Sequence, residues 1–179
     1  MQKFSQEREQ ISDDVLNLML KRFIEKMEKF DFVMYPTFKI LYDHGFRIKE
    51  VLEAKRWKLN ENGIFRIETE KGSLPRFINY SEIEGRYRNE LDYANYTDKL
   101  LNYSQVKRRF ESYFNAQFFT ENNRKLITHL FRHNFVKQKY NQGLSIEEIS
   151  KIIGEINKEN TRGYVVSKIY KENWHNLQF

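Results

Sequence analysis

Apolar residues recur at helical spacing along most of the chain, with one interruption where the period changes. Ser12 precedes DDVLNLMLKRFIEKMEKF, in which Val15, Leu16, Met19, Leu20, Phe23 and Met27 fall on one face of a helix. Ser12 is placed to cap it, and Asp13 and Asp14 put negative charge where the helix dipole favours it. A second helix is predicted from Tyr35 to His44, with Pro36 in its first turn and Gly45 as its stop. A short third helix is expected after Arg47, through Val51, Leu52 and Ala54. Between residues 55 and 80 the pattern becomes three short runs, KRWKL, IFRIET and LPRFINY, rich in aromatic and β-branched residues. Asn62-Gly63 and Lys71-Gly72-Ser73 separate them. This predicts a three-stranded antiparallel sheet with Lys71 in its second turn.

From Ser81 the chain reads as helical again, although the polar stretch 85–101 shows no clear boundaries. Ser104 is expected to cap QVKRRFESYFNAQFF, with Val106, Phe110, Phe114 and Phe118 as one apolar stripe. Thr120 or Asn122 is expected to open a helix carrying Leu126, Ile127, Leu130, Phe131 and Phe135 and ending at Gly143. Ser145 with Glu148 forms a capping-box pattern for a helix through Ile152 and Ile153, stopped by Gly154. Asn160 or Thr161 is expected to begin the helix that carries Tyr164. The predicted fold is mainly α with a small three-stranded antiparallel β-sheet, in one domain over residues 1–179.

A chain of 179 residues is long enough to bury a core, and its 16% aromatic content argues against disorder. It has no cysteine, hence no disulfide framework and no thiolate zinc site. No apolar run reaches the length of a membrane span, and MQKFSQEREQ lacks the apolar centre of a signal peptide. A soluble intracellular protein with no membrane partner is expected. The net charge of +6 is concentrated: residues 101–140 hold eight basic and two acidic residues, while the remaining 23 basic and 23 acidic residues cancel. Lys107, Arg108, Arg109, Arg124 and Lys125, interleaved with Tyr103, Tyr113 and several Phe, resemble a polyanion-binding surface; the alternative is a solvated helix face.

His129 and Arg132 lie three residues apart and share a face if helical. Arginine grips phosphate oxygens in pairs, histidine moves protons near neutral pH, and tyrosine can be a covalent nucleophile. His129 and His133, four residues apart, would also suit a metal, but no glutamate or cysteine completes a ligand set, so none is expected. The order Gly45-Phe46-Arg47-Ile48-Lys49-Glu50-Val51, Lys71, His129-Leu130-Phe131-Arg132-His133, Ile153-Gly154-Glu155 and Thr161-Arg162-Gly163-Tyr164 resembles the catalytic domain of the tyrosine recombinase (phage integrase) family. The resemblance spans the first helix to about Tyr170.

It implies a largely helical fold with a small antiparallel sheet. It also implies transesterification on duplex DNA through a 3′-phosphotyrosyl link, with no cofactor, metal or nucleotide. Tyr164 would be the nucleophile, Arg47 and Arg132 the phosphate ligands, His129 the first candidate to assist proton transfer at the phosphate and Lys71 the acid for the leaving 5′-oxygen. Glu50 would buttress the site. The resemblance further implies self-association on DNA, with the tail around Trp174 and Phe179 packing on a neighbour or on its own core, and a cytoplasmic, nucleoid-associated location. The family's N-terminal clamping domain is expected to be absent from this chain. Glu155 departs from the pattern, since the family places His or Trp there. An ionised carboxylate accepts hydrogen bonds and repels phosphate. It is expected to turn away, be protonated, pair with a nearby Arg or Lys, or mark weakened catalysis. The alternatives are therefore a catalytically weakened or inactive DNA-binding relative and a helical protein-interaction domain.

Overall fold

The centre of the molecule is α6 (His129–Asn141), whose residues from Leu130 through Lys137 are all buried. A helix enclosed on every side needs neighbours on every side, and the apolar stripes of the other elements supply them. A computed structural model of the chain describes residues 8–94 and 101–173. In it, α1 (Asp13–Phe30) turns Leu16, Leu20, Phe23, Ile24 and Met27 inward and is capped by the Ser12 side chain, as its sequence predicts. Helix α2 (Tyr35–His44) adds Phe38, Ile40 and Leu41. Phe23 then meets Phe38 edge-on at 4.7 Å and lies 5.9 Å from Phe110 and 6.1 Å from Phe131. Aromatic edges against faces are favourable beyond the area they bury.

Helix α3 (Ile48–Leu52) is followed by the predicted sheet, β2 (Trp57–Leu59), β3 (Ile64–Ile67) and β4 (Arg76–Asn79), in antiparallel order β2-β3-β4. In β4 the alternation runs against side-chain character: Arg76 is buried and Phe77 is 64% exposed. Helix α4 (Gly85–Tyr93) occupies part of the stretch without clear sequence boundaries. Helix α5 (Tyr103–Phe114) begins two residues earlier than a cap at Ser104 suggests, because Asn102 is the cap; its side chain accepts from the Ser104 N–H at 2.7 Å.

A second sheet was absent from the sequence expectations. It joins β1 (Glu9–Ile11), β5 (Ala116–Thr120), β6 (Lys125–Leu126) and β7 (Ile169–Asn173) in the order β1-β7-β5-β6. Phe118 therefore belongs to a strand, not to the stripe of α5; Asn115 ends that helix in the left-handed conformation with φ 48°. Leu126 is likewise a strand residue, and α6 starts at His129 after Thr128, later than Thr120 or Asn122 suggested. Strands of two to five residues are too short to show a period of two. Their pairing is long-range, with β1 and β7 at opposite ends of the sequence.

Helix α7 (Ile146–Ile153) is capped by Ser145, whose Oγ accepts from the Glu148 N–H, and ends at Gly154. Helix α8 (Lys158–Val166) is capped by Asn157, a turn before the residues expected to open it. Up to Asn173 the tail is a strand on the protein's own core; Trp174 and Phe179 lie outside the described residues. No helix among the described residues is long and apolar enough to cross a membrane. Phe23→Ala should cost about 3–5 kcal/mol in denaturant unfolding by opening a cavity at the junction of four helices. Phe30→Ala, at a side chain 75% exposed, should stay within about 0.5 kcal/mol.

Candidate active site

Arg132 is fully buried, at 0% exposure, and it is held by helix ends. Its Nη1 donates to the Gly45 carbonyl at the end of α2 at 2.9 Å, and its Nη2 reaches the Ile153 carbonyl at the end of α7 at 3.5 Å. Carbonyls at helix C-termini carry partial negative charge, which suits a cation. Burial still holds its pKa below the usual arginine value. Gly45 makes the approach possible: its φ is 64°, and a Cβ there would lie 2.7 Å from the Phe135 side chain.

Arg47 sits just before α3. Glu50, fully buried, accepts from the Arg47 N–H at 2.9 Å and from the Glu70 N–H at 2.9 Å. One carboxylate thus ties the first arginine to the turn bearing Lys71. Lys71 has φ 62°, is exposed, and forms no hydrogen bond or ion pair among the described residues. That turn is pinned from the other side by Gly154, whose carbonyl accepts from the Leu74 N–H at 2.9 Å. Gly154 has φ 75°, and a Cβ on it would stand 2.4 Å from the Leu74 carbonyl oxygen.

Tyr164 lies with this cluster. Its hydroxyl is 3.0 Å from His129 Nε2, and the Arg132 guanidinium carbon is 5.5 Å from its ring centre. Two hydrogen-bonded contacts position its helix. Ser150 donates to the buried Thr161 at 2.7 Å, locking α8 to α7. Lys137, buried in α6, donates to the Val165 and Ser167 carbonyls at the end of α8. Ser167 donates to the Tyr164 carbonyl at 2.9 Å and faces His133 Nδ1 at 2.8 Å. His133 is therefore a structural partner of the tyrosine's helix. Tyr170, the rival tyrosine, pairs with Phe119 in β7, away from the cleft.

A cleft of about 710 Å³ collects Arg47, Lys71, His129, Glu155 and Tyr164 on its walls, with Arg124 at its rim. Arg124 and Lys125 also line an adjoining groove with Arg47, Lys71 and Tyr103. The rest of the basic stripe is divided. Lys107 and Arg108 line a separate groove on α5, and Lys107 and Lys125 both face Glu111, at 3.7 and 3.9 Å. Arg109 turns to Asp31 at the end of α1. Arg132 and Lys137, counted in the basic run, are interior and are not part of an exposed stripe.

Glu155 pairs with the arginines, one of the expected options. Its Oε2 lies 2.9 Å from Arg47 Nη2 and 3.8 Å from Arg132 Nη2, while Asn160 donates to Oε1 at 3.2 Å. Asn160 and the buried Arg76 are site neighbours that the sequence reading missed. Arg76 stacks 3.9 Å from the Phe46 ring and donates to the His44 carbonyl, with burial lowering its pKa to about 9. The only sequence signal for it was a charge at an inward strand position.

The sequence profile described as the Phage integrase family matches residues 9–169. A probable integrase/recombinase of Acholeplasma phage L2 is 27% identical over 141 residues, which are 74% of this chain and 49% of that protein. Among solved structures, the XerA recombinase aligns with a TM-score of 0.60 at 21% identity, covering 87% of this chain and 59% of its own. The XerH site-specific recombinase bound to its difH substrate in a pre-cleavage complex gives 0.59 at 20% identity, covering 83% and 48%. The fold is that of a tyrosine recombinase catalytic domain. The chain belongs to the phage integrase family, and it spans about half the length of the relatives it matches.

Burial holds the three described histidines neutral: His44 is lowered to about 4, His129 to about 2 and His133 to about 3, with neighbouring cations adding to the effect. In the unfolded chain each takes a proton near about 6.5. Their contribution to stability is complete above that pH and is lost as pH falls below it, by at most about 1.4 kcal/mol per pH unit for each. Glu90, raised to about 7 by burial, acts in the opposite sense and softens the slope. Denaturant unfolding followed from about pH 7 to 5 should show falling stability, and His133→Gln should flatten the fall. Gly154→Ala should destabilise by more than about 1 kcal/mol, since its φ and the Leu74 carbonyl both oppose a Cβ.

Proposed function

We propose that the chain is the catalytic domain of a site-specific DNA recombinase or integrase, cutting and rejoining duplex DNA. One observation carries the reading: the Tyr164 hydroxyl meets a neutral His129, with the buried Arg132 guanidinium 5.5 Å from the tyrosine ring, at a cleft that also presents Arg47 and Lys71. A neutral imidazole is free to accept the phenol proton as attack begins. The phenolic oxygen bonds to phosphorus while the bond to the 5′-oxygen breaks, and Lys71 supplies the proton that this oxygen needs. Arg47 and Arg132 hold the non-bridging oxygens as charge grows on them. The phosphotyrosyl bond conserves the energy of the broken ester, so another 5′-hydroxyl reverses or redirects the step. Arg124 and Lys125, on the cleft's approaches, are placed to take flanking phosphates. Lys107 and Arg108 extend the contact along α5.

A second reading, a DNA-binding relative with weakened catalysis, rests on Glu155 occupying the arginine pair. One denaturing gel with nicked duplex separates the two. The first expects a protein–DNA adduct that Tyr164→Phe abolishes and that Arg132→Lys or Arg47→Ala lowers by roughly 100-fold or more. Adduct seen only after Glu155→His, or none in any variant with DNA binding retained, favours the second. Arg124→Ala with Lys125→Ala should weaken binding to every duplex sequence and reduce the salt slope by about 2.

A further inference from the structure

Glu155 does more than stand where a histidine or tryptophan is usual. It is built into place: 7% exposed, its N–H donates to the Ser150 carbonyl at 2.8 Å, and it follows a glycine whose backbone is wedged against the Lys71 turn. One of its oxygens faces both arginines, and Asn160 holds the other. A carboxylate oxygen between two guanidinium groups occupies the position a phosphate oxygen would take. It also leaves donors over. Arg47 Nη1, which lies 3.7 Å from a Glu50 oxygen, and Arg132 Nε are buried and have no hydrogen-bond acceptor among the described residues. The arginine pair thus has more N–H groups than one carboxylate can satisfy, as suits a tetrahedral anion with several acceptor oxygens.

We infer that Glu155 is a specificity-determining residue: a tethered carboxylate that closes the arginine pair to isolated oxyanions and yields only to a phosphate delivered within a polyanion. The inference rests on the arginine pair being the phosphate site of the proposed reaction. A free phosphate or sulfate must displace an anion that is already linked to the site, so it competes against a high effective concentration. A phosphodiester in duplex DNA arrives with neighbours, and their contacts to Lys71, Arg124 and Lys125 offset the cost of moving Glu155. The carboxylate therefore sets a threshold that a single charge does not pass. It also keeps two buried like charges compensated while the site is free.

The test uses sulfate alone, titrated into the full chain and followed through the Nε–H resonances of Arg47 and Arg132. Glu155→Gln keeps the shape and removes the charge, and it should bind sulfate at least about tenfold more tightly than the unsubstituted chain. Glu155→Asp, which draws the charge back by one carbon, and Asn160→Ala, which unties Oε1, should fall between them and remain informative if the glutamine variant does not fold. Equal sulfate affinity across the folded variants overturns the inference. The nicked-duplex gel reports on the recombinase reading separately: tighter sulfate binding without adduct in any variant leaves Glu155 as the guard of an anion site and removes the reaction.

Discussion

The burial of Arg132 is the constraint on which the other placements depend. A guanidinium with no exposed surface needs acceptors from the protein itself, and the Gly45 and Ile153 carbonyls at two helix ends supply them, with the Glu155 carboxylate nearby. Those acceptors exist only if α2 and α7 both end against α6. The cation therefore couples helix termination to packing: Gly45 and Gly154 must adopt left-handed conformations, and both are wedged where a side chain would collide. A buried charge of this kind is weak evidence for stability and stronger evidence for a fixed arrangement.

From that anchor the site is assembled by shared partners. Glu50 joins Arg47 to the Lys71 turn, Gly154 joins the same turn to Glu155, and Thr161 with Lys137 seats the helix of Tyr164. Most of these contacts use backbone groups, so they fix the elements that carry the site side chains. Lys71 is the extreme case, an exposed lysine at the tip of a turn whose base is held on two sides. In the proposed reaction this division suits a site that closes on a large, stiff polyanion.

The low proton affinity of the buried histidines belongs to the same design. His129 and His133 face each other at 5.5 Å near Arg132, so charging either would add a buried cation beside one already there. Kept neutral, His129 holds a ring nitrogen 3.0 Å from the Tyr164 hydroxyl, and His133 braces Ser167. Two residues of one motif thus have different tasks, set by what lies opposite each.

The local rules along the chain determined much of this protein. The caps at Ser12 and Ser145, the stops at Gly45 and Gly154 and the hairpin turns at Gly63 and Lys71 are decided within a few residues, and all were legible. The order of Arg47, Lys71, His129, Arg132 and Tyr164 was legible too, through the resemblance of their motifs to those of a known family. The tertiary structure alone decided what depends on distant partners. The second sheet pairs strands from opposite ends of the chain, each too short to carry a period of its own, so Phe118 and Leu126 read as helical. Arg132 and Lys137 counted as surface charge until the fold enclosed them. The role of Glu155 was decided the same way: its sequence position marked it as unusual, and only the packing of α3, α6 and α7 brought both arginines to its carboxylate.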